Sequence, residues 1–332
     1  MRRPLLAALI FLAIGPVPGT WQRVPGEDFT QRVAARPLLH PGATAGPLRF
    51  VRGWRLVSPH TRFGGFSGLA RLGPGRFQLV GDNGYWTRLT LADDGTVSDV
   101  RVAPLPTPDG QPRRKAMIDA EAMAVDPASG KSWIALEGID QVWRLDAAMT
   151  HIEARRRMPG AQTWPANRGA EAMARLADGR TIVFSEDADD DPRGREALLF
   201  AGDPTASGPP PQRFLYDSAG RGQVSDAAAL PDGRVLLIHR RLGLNPLFTT
   251  ELAVVDPADI AAGAVVRAQT IGRVPRPLAE NYEGAAVAME DGRLFLWLVS
   301  DDNFNTWQRS LLVQFELTNL PPRRSDSKKA AR

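Results

Sequence analysis

The 332-residue chain has no cysteine, which excludes disulfides, thiolate nucleophiles, iron–sulfur clusters and every cysteine-ligated zinc site. Histidine is scarce as well, at four residues, so imidazole chemistry has few places to occur. A strong charge of one sign is also missing. The formal net charge is +4, but residues 321–332 hold five basic groups and one acidic group, and Arg2 and Arg3 add two more; the rest of the chain carries 34 basic and 36 acidic groups. A nearly neutral body lacks the basic stripe that a nucleic-acid partner requires, so none is expected. Long apolar runs are absent too. PLLAALIFLAI, after Met1-Arg2-Arg3, is shorter than the roughly 20 residues of a membrane span.

That basic start, short apolar run and the small, helix-breaking GPVPGT that follows have the build of a secretory signal over residues 1–19. The expectation is an exported protein, periplasmic or secreted and monomeric, with no stable membrane span after cleavage. Residues 28–320 form the domain, and 321–332 read as a disordered basic tail.

What the chain has in excess is turn formers: 31 Gly and 28 Pro make about 18% of it against a usual ~12%, which favours many turns between short strands. An internal repeat agrees. Segments opening at Ser67, Glu121, Glu171, Asp226 and Glu283 share one plan, in which a polar residue opens an apolar strand, a Gly-containing turn follows, and a second apolar strand ends on another polar residue. Asp178-Gly179, Asp232-Gly233 and Asp291-Gly292 are hairpin turns. The openings are 54, 50, 55 and 57 residues apart, leaving room for two further strands per unit. Such a period is the signature of a β-propeller, here of about five to six blades, rather than a β-solenoid with its shorter, more regular repeat. LRFVRGWRLV (48–57) and SLLVQFEL (310–317) can complete one blade from both ends of the chain.

Folding the hairpins about Asp178-Gly179 and Asp232-Gly233 as two-residue turns pairs Glu171 with Glu186 and Asp226 with His239; with longer turns in the other blades, Ser67 lies near Asp82, Glu121 near Glu137, and Glu283 near Ser300 and Asp301. If these are inner strands, Glu121, Glu171, Asp226 and Glu283 gather at one end of the channel. Like charges there must protonate, take up a cation such as Ca²⁺, or accept backbone N–H bonds from neighbouring blades. The expected metal set is these four acids, with Asp82, Glu137, Glu186 and Asp301 behind them. Asp187, Asp189 and Asp191 resemble the start of a calcium loop, but Pro192 stands where an EF-hand needs Gly, so a solvated acidic turn is expected. In SDDNFN (300–305), oxygen ligands and loop-fixing Asx turns are both open readings.

Arg240 and Arg241 follow His239, and Arg113, Arg114 and Lys115 precede Asp119 and Glu121; they suit an anionic substrate or merely neutralise the acids. No G-x-S-x-G, H-E-x-x-H, Walker A or G-x-G-x-x-G motif occurs. His40, His60 and His151 fall outside the repeat, leaving His239 as the placed base. Hydrolysis would therefore be metal-assisted, with a carboxylate or metal-activated water as base. Trp86, Trp143, Trp164 and Trp307 read as blade packing rather than a carbohydrate platform.

GGFSGL, VGDNG, DAEAMAV, ENYEGAAV and SDDNFNTWQRSLLVQFEL, in this order and spacing, resemble the "esterase-like activity of phytase" family, the bacterial phytase-like domain proteins. The resemblance covers about residues 48–317. It implies an exported propeller-type domain that hydrolyses phosphate or carboxylic esters. The expectation is a calcium-assisted esterase or phosphatase for a small anionic ester, with Glu121, Glu171, His239, Arg240 and Arg241 as its catalytic set. Two alternatives stand beside it: a non-catalytic propeller that binds a ligand or protein on its acidic face, and a lactonase-type calcium propeller.

Overall fold

Short runs of Val, Leu, Phe and Trp, cut by Gly-containing turns, satisfy their backbone groups most directly as antiparallel hairpins, and that is how this chain folds. The computed structural model describes residues 26–323 apart from 40–41, 112, 160–163, 165–168 and 187–190. The signal segment, His40, Asp187, Asp189 and the tail beyond Arg323 lie outside the described residues.

Five sheets form the blades of a β-propeller. Blade one runs from its inner to its outer strand as β4 (Phe66–Gly73), β5 (Arg76–Gly81), β6 (Tyr85–Leu91) and β7 (Val97–Pro104); blade two as β8 (Ala120–Val125), β9 (Ser132–Leu136), β10 (Gln141–Leu145) and β11 (Ile152–Arg157). Blade three holds β12 (Ala170–Arg175), β13 (Thr181–Ser185), β14 (Arg195–Phe200) and β15 (Gln212–Asp217), with β19 (Val265–Arg267) added in parallel at its edge. Blade four holds β16 (Gln223–Ala229), β17 (Val235–Leu242), β18 (Phe248–Val255) and β20 (Gln269–Arg273). Blade five joins β21 (Tyr282–Glu290), β22 (Arg293–Ser300) and β23 (Leu311–Leu317) to β3 (Leu48–Val57) and β1 (Ala34–Pro37), while β2 (Thr44–Ala45) pairs with β3. The β23–β3 ladder, Leu311 opposite Arg55 through Leu317 opposite Leu48, closes the ring with strands from both ends of the chain, as the two flanking segments suggested.

Burial follows this radial plan. Hydrophobic side chains gather in five clusters, one at each interface between blades, for example Phe184, Phe214, Tyr216, Leu237 and Val255 between blades three and four. Trp86, Trp143 and Trp164 are buried in this packing, whereas Trp307 is partly exposed and stacks on Phe248. At the centre the five inner strands crowd together, and each carries alanine at the same register: Ala70, Ala124, Ala174, Ala228 and Ala286, which line a cavity of about 560 Å³ at the turn end of the channel.

Two of the three Asp-Gly hairpins depart from the two-residue rule. Asp291 and Gly292 do form a two-residue turn, with φ of 47° and 73° and Glu290 paired to Arg293. Around Asp178-Gly179 and Asp232-Gly233, however, the N–H of Leu176 reaches the carbonyl of Arg180 and that of Leu230 reaches Arg234, so three residues make each loop, with Gly179 and Gly233 at positive φ. This geometry is a type I turn followed by a glycine bulge, and it moves the register by one.

A second irregularity is common to all five blades. Ser67, Glu121, Glu171, Ser225 and Glu283 are each the extra residue of a β-bulge near the start of the inner strand. The paired residues are therefore Ala170 with Ser185 and Val224 with His239, while Asp226 faces Ile238. The expected pairings of Glu171 with Glu186 and Asp226 with His239 are corrected accordingly.

The inner strands of blades five and one approach closely at Gly284. A Cβ on Gly284 would lie 2.6 Å from Val299 Cγ1 and 2.9 Å from the backbone nitrogen of Leu69. Gly284→Ala is expected to cost about 1–3 kcal/mol as overpacking against a backbone that cannot yield, read as a lower urea midpoint with unchanged slope; an unchanged midpoint would contradict this account of ring closure.

Candidate functional site

A bulge leaves one residue outside the ladder and re-aims its side chain. At the channel end opposite the hairpin turns, five such residues face one another. Two are serines that join blades: Ser67 Oγ donates to the carbonyl of Ala120, and Ser225 Oγ donates to that of Tyr282 at 3.1 Å, each acceptor being the residue just before the next bulge. The other three are Glu121, Glu171 and Glu283. Glu121 and Glu171 accept no hydrogen bond among the described residues, whereas Glu283 accepts from Asn281 at 2.9 Å and pairs with Arg240.

A second layer comes from the residue that follows, on the second strand, the partner of the residue before the bulge: Asp82, Glu137, Glu186 and Asp301, each just past its strand, and Arg240, still within β17. In four blades its N–H is fixed by a carbonyl at the start of the inner strand, Gly65, Asp119, Gly169 or Asn281, at 2.8–3.0 Å. The two layers converge on blades two and three. Carboxylate oxygens of Asp119, Glu121 and Glu137 lie within 4.8 Å of one another, as do those of Glu137, Glu171 and Glu186, so Glu137 belongs to both groups.

Burial, followed by the neighbouring carboxylates, dominates the electrostatics. Glu121 is held well above the usual carboxylate range by burial and then by Glu171, Asp119 and Glu283; Glu171 by burial and then by Glu186, Glu283 and Glu137; Asp301 by burial and then by Glu283 and Asp82. Burial also raises Glu283, Glu137 and Asp82, against Arg240, the Gly169 N–H and Lys115 respectively. Lys115 reaches Asp82 at 2.8 Å and Asp119 at 3.3 Å, and these acids keep its ammonium above the ordinary lysine range although burial opposes the charge. Asp82 Oδ1 remains buried without a hydrogen-bond partner.

Three of the expected residues, Asp226, His239 and Arg241, stand apart from this cluster. Asp226 lies one position beyond the bulge, where the other blades have Gly68, Ala122, Ala172 and Gly284. Its fully buried carboxylate accepts the N–H of Ala285 in blade five at 2.7 Å and that of Ala227 at 2.8 Å, a join between blades. His239 is fully buried between blades three and four, where Nε2 meets the Tyr216 hydroxyl at 2.7 Å; burial pushes its pKa down to about 4. It touches none of the clustered acids. Arg241 is exposed beside Arg240, and Arg113 pairs with Asp109. In the 300–305 loop, Asx turns prevail: Asp301 accepts from Asn303 N, Asp302 from Phe304 N, and Asn305 from Gln308 N. Asp191 pairs with Arg193 in an exposed turn.

Asp119 was missed by the repeat comparison. Its signal was positional, since it stands two residues before a bulge glutamate as Asn281 does in blade five. A cavity of about 400 Å³ opens beside the acids between blades three and four, lined by Glu186, Tyr216, Ser218 and Gln223 among others.

Above pH about 4 an unfolded carboxyl ionises freely, whereas these buried ones hold their protons to higher pH. The cation-free fold therefore binds more protons than the unfolded chain in that window and loses stability as pH rises through the raised values. Melting temperature in EDTA is expected to fall between pH 5 and 8, and calcium is expected to flatten the fall. A melting temperature that rises over this window would contradict the shifts.

The profile of the phytase-like family, described as esterase-like activity of phytase, matches residues 61–304, which contain every acid named above. No curated protein matches the sequence. Among solved structures, an α-L-arabinofuranosidase of Podospora anserina is 12% identical with a TM-score of 0.46, covering 92% of this chain and 99% of its own. A gluconolactonase of Xanthomonas campestris is 14% identical with a TM-score of 0.44, covering 88% and 99%. Hydrazine synthase of Kuenenia stuttgartiensis is 12% identical with a TM-score of 0.40 over 74% of this chain, which spans 59% of that protein.

Proposed function

Starting from the fact that the chain belongs to the phytase-like family, we propose that it is an ester hydrolase whose acidic channel mouth works with a divalent cation, Ca²⁺ being the closest chemical match. The observation that carries this reading is the pair of carboxylate groups sharing Glu137, with Glu121 and Glu171 accepting no hydrogen bond among the described residues. Carboxylates kept only for structure are normally hydrogen-bonded, as Asp226 is.

The residues present fit a hard cation. Asp119, Glu121, Glu137, Glu171 and Glu186 offer an all-oxygen donor set, and Asp82 adds a buried oxygen with no other acceptor role. When bound, such an ion would polarise the ester oxygen and offset negative charge in the transition state. Burial raises the proton affinity of Glu121 and Glu171, and whichever of the two the ion leaves uncoordinated and ionised is available for proton transfer. Glu121 or Glu171 takes a proton from the attacking water on an Oε atom and returns it to the leaving oxygen. Lys115 holds Asp82 and Asp119 in place from the rim. Export by the N-terminal segment and a small anionic ester as substrate belong to the same proposal.

Calorimetry with calcium on wild type and on Glu121→Gln and Glu171→Gln, together with p-nitrophenyl phosphate, p-nitrophenyl acetate and a simple lactone, tests it. Each variant is expected to weaken calcium binding at least tenfold and to lower metal-dependent kcat/KM by about 10²-fold or more, while Asp226→Asn leaves calcium binding unchanged. Calcium binding without turnover of any ester would move the protein to the binding-module reading, and turnover of the lactone alone would move it to a lactonase.

A further inference from the structure

Blade four breaks the pattern of the acidic mouth at both layers. Its bulge residue is Ser225, bonded to the next blade, and its second-layer residue is Arg240, where the other blades place Asp82, Glu137, Glu186 and Asp301. The Arg240 guanidinium reaches the flanking blades on both sides. It pairs with Glu283 of blade five, donates to Asn281 Oδ1 at 3.3 Å, and lies 3.9 Å from Glu186 of blade three. This is the placement a bound cation would take at that vertex of the ring.

Two consequences follow from charge and geometry. A divalent ion at blade four would meet a fixed positive charge, so the cation-binding half of the mouth is confined to blades two and three, where both carboxylate groups lie. The guanidinium also has five N–H donors in a rigid fork. Its hydrogen bonds among the described residues all run from Nη1, Nη2 lies 3.9 Å from Glu186, and a quarter of the side chain is exposed. Donors therefore remain for an anion arriving from the open side of the mouth, and a planar fork suits phosphate or carboxylate.

We propose that Arg240 is the residue that selects for charge in this site: it replaces a cation at the blade-four vertex and receives the anionic group of the substrate, so that phosphate monoesters are favoured over neutral esters. This rests on the hydrolase reading given above. Arg241, exposed and on the alternate face of β17 from Arg240, has no part in it.

The test uses the full chain and inorganic phosphate as probe, titrated into calcium-loaded wild type, Arg240→Gln and Arg240→Lys. Arg240→Gln is expected to bind calcium at least as tightly as wild type and phosphate at least tenfold more weakly. It is also expected to lose more kcat/KM on p-nitrophenyl phosphate than on p-nitrophenyl acetate, with Arg240→Lys recovering part of both losses. Phosphate affinity within twofold of wild type would overturn the proposal and leave Arg240 a counter-ion, as would a loss of calcium affinity. Because Arg240→Gln strands Glu283, the double variant Arg240→Gln/Glu283→Gln is measured beside it, and the same comparison applies if the single variant does not fold. Should wild type take up no calcium, the hydrolase reading falls, and the phosphate titration without calcium still decides whether Arg240 binds the anion.

Discussion

Like charge held at short range by a rigid backbone is the constraint on which the rest of this molecule turns. The same β-bulge in five inner strands removes one residue per blade from the ladder, and three of those residues are glutamates. Strand geometry, which is set by hairpin pairing far from the mouth, decides how close these acids lie. They cannot separate without breaking ladders, so burial and mutual repulsion appear as raised proton affinity at Glu121, Glu171 and Asp301. A site of this kind is stabilised by whatever neutralises it, whether protons, the Lys115 and Arg240 cations, or a divalent ion.

The fold withstands that charge because the structural duties of the mouth have been given to other groups. Ser67, Ser225 and Asp226 join neighbouring blades through backbone carbonyls and N–H groups. Below them the five-alanine layer lets the inner strands approach, and five apolar clusters hold the blade faces together. Blades two and three are consequently free to place Glu121 and Glu171 where they accept no hydrogen bond among the described residues, and blade four, with Ser225 and Arg240, makes the mouth electrically lopsided. The proposed division into a cation-holding side and an anion-receiving side rests on that asymmetry.

Much of this was legible in the residues. The spacing of the repeat, the Asp-Gly turns and the flanking strand segments pointed to the propeller and to a blade closed from both ends of the chain, and the polar residues at the hairpin ends pointed to an acidic mouth. What the pattern could not carry was a shift of one residue. The bulge and the three-residue loops each alter pairing by one, and in a strand one residue exchanges the two faces. Asp226 therefore read as the blade-four counterpart of Glu121, Glu171 and Glu283, although Ser225 holds that place. His239 read as an available base because it is polar at a strand end, but packing against Tyr216 turns it into the core. Asp119 was overlooked because only strand openings were aligned, and not the residue two places earlier whose carbonyl fixes the second layer.

The central claim is that the clustered acids of blades two and three gather a cation rather than simply enduring one another. A crystal structure grown with calcium, with anomalous scattering recorded from the same crystals, tests it most directly. The account predicts an anomalous peak bounded by Asp119, Glu121, Glu137, Glu171 and Glu186, with blade four bare of metal. Carboxyl groups paired to one another through shared protons, with no peak in the mouth at millimolar calcium and neutral pH, would contradict it.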